Sequence, residues 1–276
     1  MQKYKNLISF LLFGFITLCC DTNAFSATIS ITDVSQLALT GRIVPGDAER
    51  VIEKLIEINS DYTLSLPSLM YLNSNGGDVR EALRISKLVK VLFMSTSVLK
   101  QVKITSEAII NNKSSVICAS SCFFIYLSGL SRAANGIDSQ SIKSTGLVGV
   151  HRPYFQKPAG GPSSAKNQDA LMNEVTSYLQ TERVPQSIID IMMSHASNDI
   201  YWLTTADLNL LGEYKASYEE ELIAKCNFNA SQVRRMTTKE YLASRVLECT
   251  SNYYVDTYEP LRRSAFLRLR KGWRPW

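Results

Sequence analysis

Cys118-Ala119-Ser120-Ser121-Cys122-Phe123-Phe124-Ile125-Tyr126-Leu127-Ser128-Gly129 is the stretch on which the reading of this chain turns. Residues 115–119 read as a short strand. From Cys122 to Gly129 the chain is apolar nearly all round, which marks a buried helix. A serine at that junction stands near a helix N-terminus, where free N–H groups and the dipole favour negative charge. Such a place suits an attacking alkoxide and a tetrahedral oxyanion. The plainer reading makes Ser120 or Ser121 an N-cap. A spacing of four between Cys118 and Cys122 leaves open whether they are bridged.

Upstream, Leu69 to Leu72 is a short apolar strand that runs into the turn Asn73-Ser74-Asn75-Gly76-Gly77. Paired glycines allow positive φ and let another group come close to the backbone. Backbone N–H groups at such a turn can bind an oxyanion, though a tight turn alone would look the same. Asp78 caps a helix with Val79, Ala82, Leu83, Leu88 and Val89 on its buried side. Downstream, the apolar strand Leu147 to Val150 ends at His151-Arg152-Pro153. A histidine there is placed to act as a base for serine, or to serve as a hydrogen-bonded structural residue.

Strands and helices alternate around these stretches. Residues 29–43 are β-rich and stop at Pro45-Gly46-Asp47, with Asp47 a candidate N-cap. Residues 48–58 have apolar positions at helical spacing. A further strand is predicted over 104–110, a loop over 156–166, and helices over 168–182, 185–195 and 205–211, the last stopped by Gly212. The rest reads mostly helical. The pattern predicts an α/β domain over 27–213 and a helical, basic extension over 214–276.

The chain has 276 residues, 45% hydrophobic and 20% charged, enough for a packed core and too apolar for disorder. Its net charge is +5, but residues 261–276 hold six basic side chains and no acidic one. Without those six, 24 basic residues face 25 acidic ones, a balance of −1. That near-neutral body offers no field for nucleic acid. The basic tail also carries Phe266, Trp273 and Trp276. It is open to three uses: a solvated helix end, contact with an anionic membrane surface or nucleic acid, or docking on the domain or another subunit.

The N-terminus reads as an export signal over residues 1–26: Lys3 and Lys5, then the apolar run Leu7 to Leu18, then small residues up to Ala27. Cys19-Cys20 leaves a lipoprotein as the less favoured form, beside an uncleaved anchor. The expected compartment is periplasmic or secreted. Four cysteines follow, and Cys226 with Cys249 is the preferred disulfide. It would close a loop worth ~3 kcal/mol in the chain-entropy account. No second Cys or His cluster completes a metal site, and nothing points to an organic cofactor.

Taken together, the stretches resemble the ClpP-like serine peptidases of the crotonase-type fold, best in their secreted or periplasmic branch. Leu72-Asn-Ser-Asn-Gly-Gly77 is similar to the family's I-N-S-P-G-G, with Asn75 in place of the proline. Ser120 through Gly129 is similar to the nucleophile helix S-M-G-A-F-L-L-A-A-G, and the spacing of nine selects Ser120. Val150-His151-Arg152-Pro153 resembles I-H-Q-P. Leu203 through Gly212 resembles L-S-A-P-E-A-V-E-Y-G. The resemblance covers residues 36–213 and implies a spiral of β-β-α units.

It also implies a mechanism. Ser120 attacks an acyl carbonyl, His151 is the general base, and the N–H groups of Gly76 and Ser121 form the oxyanion hole. The third triad member is expected at Asp199, with Asn198 an alternative; Asp207 reads as structural and His195 as a helix-end residue. Lys143 is the alternative base. The implied activity is an exported serine peptidase acting on peptide or protein substrates, with self-association by analogy. A non-catalytic peptide- or partner-binding relative and a non-peptide acyl hydrolase are the other two readings.

Overall fold

The computed structural model describes residues 26–33, 36–59, 66–98, 116–137, 146–154, 164–233 and 235–276. The export segment up to residue 25, the strand expected over 104–110 and Lys143 lie outside the described residues.

A hairpin opens the fold: β1 (Thr28–Asp33) pairs antiparallel with β2 (Gln36–Thr40). Then follow α1 (Asp47–Ile58), β3 (Leu69–Asn73), α2 (Val79–Val91), β4 (Ser95–Ser97), β5 (Ile117–Ala119), α3 (Cys122–Leu127), β6 (Arg132–Ala133) and β7 (Leu147–Val150). After these come α4 (Ser164–Thr181), α5 (Gln186–Ser194), β8 (Tyr201–Trp202), α6 (Thr205–Leu211), α7 (Ala216–Cys226), α8 (Ala230–Val233), α9 (Thr238–Leu242) and α10 (Arg245–Arg270). The fold is α/β with two mixed sheets and a largely helical C-terminal region. One sheet has the order β1-β2-β3-β4-β6, parallel from β2 onward. The other has the order β5-β7-β8, with β5 and β7 parallel and β8 antiparallel.

Helix α1 forms because Val51, Ile52 and Leu55 share a face that the core buries. Each such burial stabilises by about 2 kcal/mol. Gly46, at φ 96, is its N-cap, and Asp47 stands one position inside the helix. That corrects the expected cap at Asp47, whose carboxylate instead accepts from Val44 N at 2.9 Å. The free α1 amide of Ala48 finds Glu81 Oε1 of α2 at 2.7 Å. Asp78 caps α2, accepting from Glu81 N.

The main core joins both sheets to the helices around them, from Leu37 and Met70 through Phe123 and Val148 to Leu171. Ala265, Phe266 and Leu269 of α10 belong to the same cluster, and Trp273 and Trp276 pack against it. Arg262 is buried and donates to the carbonyls of Leu66 and Pro67, while Arg274 pairs with Glu49 at 2.7 Å. Arg268 lies over the Trp273 ring. Of the three uses open to the basic tail, docking on the domain is the one displayed. Cys226 and Cys249 are bridged and fasten α7 to α10.

At the end of α4 sits a buried carboxylate, Glu182, with Lys90 Nζ at 2.5 Å and Lys215 Nζ at 2.9 Å. Burial pushes the Lys215 ammonium below the ordinary lysine value, and Glu182 pulls it back only in part. Beside them Tyr178 donates to the α3 carbonyl of Phe124 at 2.6 Å. Removing the charge in Glu182→Gln leaves two half-buried cations facing each other. It lowers stability by about 3 kcal/mol, read as a drop in the urea midpoint; an unchanged midpoint would mean that both lysines reach solvent instead.

Candidate active site

The two sheets meet where the site residues lie. Ser74, one residue beyond β3, bridges in parallel to Cys118 of β5. Its N–H donates to Ile117 O at 2.8 Å and its carbonyl accepts from Ala119 N at 2.9 Å. The Asn73 side chain adds a contact with Ile117 N at 3.2 Å. The Asn73–Gly77 turn is therefore stitched onto the strand that ends at Ser120. Its other side is held by Ile43, which donates to Gly76 O and accepts from Asp78 N, each at 2.9 Å.

Ser120 leaves β5 at φ 58, in the left-handed region that residues other than glycine seldom occupy. Its N–H donates to Gly149 O at 3.0 Å, two residues before His151. Because β5 and β7 run parallel with Ala119 opposite Gly149, Ser120 and His151 emerge at the same ends of neighbouring strands. The Ser120 side chain is part-exposed. Ser121 occupies the N-cap position of α3 with helical backbone angles and makes no side-chain cap bond. Its hydroxyl is buried without a hydrogen-bond partner among the described residues. Of the plainer reading of this serine pair as a helix cap, the structure has the N-cap position at Ser121 but no side-chain cap bond.

Cys118 and Cys122 are bridged, with Cα atoms 5.2 Å apart. The disulfide closes a five-residue ring around Ser120, and both cysteines are fully buried. It fixes the turn from the core side while Gly76 presses from the other. A Cβ on Gly76 would stand 2.6 Å from Ser120 Cβ and 2.9 Å from Ser121 N. Gly76, at φ 87, thus brings its backbone against the nucleophile turn as no larger residue could. Its N–H is not idle: it donates to Ser74 Oγ at 3.0 Å, with both groups buried.

His151 is buried, and its Nδ1 lies 2.9 Å from Arg152 O. A carbonyl can only accept, so the contact places a proton on Nδ1, and in the neutral ring Nε2 then keeps its lone pair. That is the tautomer a general base for serine needs. Arg152 is itself anchored, its N–H donating to His195 O at 3.0 Å. Asp199, expected beside His151, lies instead on His195, with Oδ2 2.9 Å from His195 Nδ1 on an exposed loop. The physical reason is that His195 ends α5 four residues before Asp199, so the two meet locally. The His151 ring nitrogen that an acid would orient is already held by Arg152 O. Asp207 forms a capping box with Thr204 at the start of α6 and also accepts from Tyr201 OH. No group of three or more His, Cys, Asp or Glu side chains suited to a metal occurs among the described residues.

No family model matches the chain, and no curated protein matches it. Among solved structures, ClpP1 from Listeria monocytogenes is 17% identical, covering 66% of this chain and 89% of its own, with a TM-score of 0.41. A point mutant of the same protein gives 16% identity, 66% and 90% coverage, and a TM-score of 0.43. These are distant likenesses of fold. The chemistry has to be argued from the residues of this chain.

Sequence reasoning did not find the Arg152 carbonyl or the Ser74 hydroxyl. Neither has a signal in a linear pattern: one is a main-chain atom, and the other is a serine in a polar turn.

Proposed function

We propose that this protein is an exported serine peptidase built on a ClpP/crotonase-like spiral of β-β-α units. Residues 27–213 carry the site and residues 214–276 brace it. The observation that carries the reading is Ser120, held at positive φ in a strand-to-helix turn. Strained turns of that kind are a known way to present a nucleophilic serine. Ser120 Oγ attacks the substrate carbonyl carbon while His151 Nε2 takes its proton. The N–H groups of Gly76 and Ser121 receive the oxyanion. His151 then gives the proton to the leaving amine nitrogen, the C–N bond breaks, and water hydrolyses the acyl-enzyme by the same route. Asp199 acts at one remove, as a positioning residue through His195 and Arg152.

Two disulfides accord with an oxidising environment outside the reducing cytosol. That supports a periplasmic or secreted enzyme acting on peptides or unfolded proteins. Self-association fits the same reading. The position of Asp199 on His195 favours a second reading, a peptide-binding relative without activity.

Labelling of the mature protein with a fluorophosphonate separates the two. Ser120 Oγ attacks phosphorus, the P–F bond breaks, fluoride leaves, and His151 takes the proton. Mass spectrometry should place one adduct on Ser120 in the folded protein and none after heat unfolding. A folded protein that takes no adduct is a binder.

A further inference from the structure

We infer that Ser74 is a latch on the oxyanion hole, a positioning residue that acts through Gly76; the inference rests on the peptidase reading of this site. Oxyanion-hole donors work at about 2.7–3.1 Å from the oxygen they stabilise. Ser74 Oγ stands 3.0 Å from Gly76 N, so a hydroxyl oxygen already holds the N–H that the substrate oxygen needs. The root of that side chain cannot drift, because both backbone groups of Ser74 are bonded to β5. Gly76 is equally fixed, between Ile43 on one side and Ser120 on the other.

The latch has a physical reason. Gly76 N–H is buried, and a buried donor without a partner is destabilising. The free enzyme meets that need internally. When substrate arrives, its carbonyl oxygen competes with Ser74 Oγ, and the bond to Ser74 is given up as the oxyanion forms. Part of the transition-state stabilisation from Gly76 is therefore offset by the loss of a ground-state hydrogen bond. Ser74 slows acylation and keeps the empty site satisfied.

The test compares wild type, Ser74→Ala and Ser74→Thr. The second-order rate of fluorophosphonate labelling at Ser120 is measured together with hydrogen exchange of the Gly76 amide. Ser74→Ala should label about 2–10-fold faster, the rate equivalent of one neutral hydrogen bond. Its Gly76 amide should exchange faster than in wild type. Ser74→Thr keeps the hydroxyl and should restore both the wild-type rate and the protection. A merely structural serine predicts the opposite for the rate, since loosening the turn slows Ser74→Ala. An equal or slower rate in Ser74→Ala, with wild type labelling normally, overturns the latch alone. So does an unprotected Gly76 amide in wild type, whatever the variants do. If neither wild type nor Ser74→Ala takes the probe, the peptidase reading falls and the latch falls with it.

Discussion

His151→Ala should leave a folded protein whose labelling at Ser120 is slower by about 10⁴-fold, the upper end of what a positioned general base contributes. Ser120→Ala takes no adduct at all. Folding survives because, among the described residues, the ring shows one hydrogen bond, to its neighbour's carbonyl, and no ion pair. Rate does not survive, because on the proposed reading His151, at the end of β7, is the group that takes the serine proton. The informative companion is Asp199→Asn. Where a carboxylate orients the histidine directly, changing it to the amide favours the wrong tautomer and lowers the rate by about 10⁴-fold. Here the Arg152 carbonyl holds Nδ1–H, and the carboxylate sits on His195. Asp199→Asn should therefore keep the rate within about tenfold, on the scale of one hydrogen bond. A collapse as deep as that of His151→Ala would show that Asp199 reaches His151 during turnover and would remove the carbonyl from its role. An unchanged rate in His151→Ala would shift the base to another group.

The split between these variants also shows what the sequence could and could not disclose. The strand-to-helix turn at Ser120 is legible because its determinants are local: an apolar helix after a short strand, with serines between. So is the Cys226–Cys249 pair, which follows from an even count and the compartment. Cys118 and Cys122 could not be decided, because their Cα separation of 5.2 Å depends on the chain reversing at Ser120. That reversal is a positive φ at a residue with no propensity for it. The partner of Asp199 is not legible, because it is set by where a loop lands, and the histidine four residues before it in the chain takes the carboxylate. Strands β4, β6 and β8 have two or three residues and no alternation to detect; β4 is Ser95-Thr96-Ser97. Only the neighbouring strands make them strands. Helix α4 begins at Ser164, inside the segment whose glycines and prolines predict a loop to residue 166. The tail's aromatic and basic residues were visible, but not the surface that receives them. Arg262 meets two main-chain carbonyls that no pattern marks.

On the proposed peptidase reading, Gly76→Ala should stop labelling of Ser120 while leaving most of the fold standing, and Gly46→Ala is the control that explains why. Both glycines have positive φ, at 87 and 96, so alanine meets a similar backbone penalty at each, about 1–3 kcal/mol. At Gly46 a Cβ finds nothing within 4 Å, so that penalty is the whole effect, and labelling of Ser120 should match wild type. At Gly76 the Cβ would stand 2.6 Å from Ser120 Cβ, 2.7 Å from Ala119 O and 2.9 Å from Ser121 N. Two of those atoms are backbone, and the disulfide and the bonds from Ser74 to β5 hold that backbone in place. The turn carrying Gly76 has to move instead, and it takes the Gly76 N–H out of reach of the oxyanion. Loss of one such donor lowers the rate by about 10²–10³-fold, and displacement of Ser120 lowers it further. Gly76→Ala should thus lose more stability in urea than Gly46→Ala, stay folded, and differ from it by at least that factor in fluorophosphonate labelling. Equal labelling in both would mean that the Asn73–Gly77 turn holds no part of the reacting site.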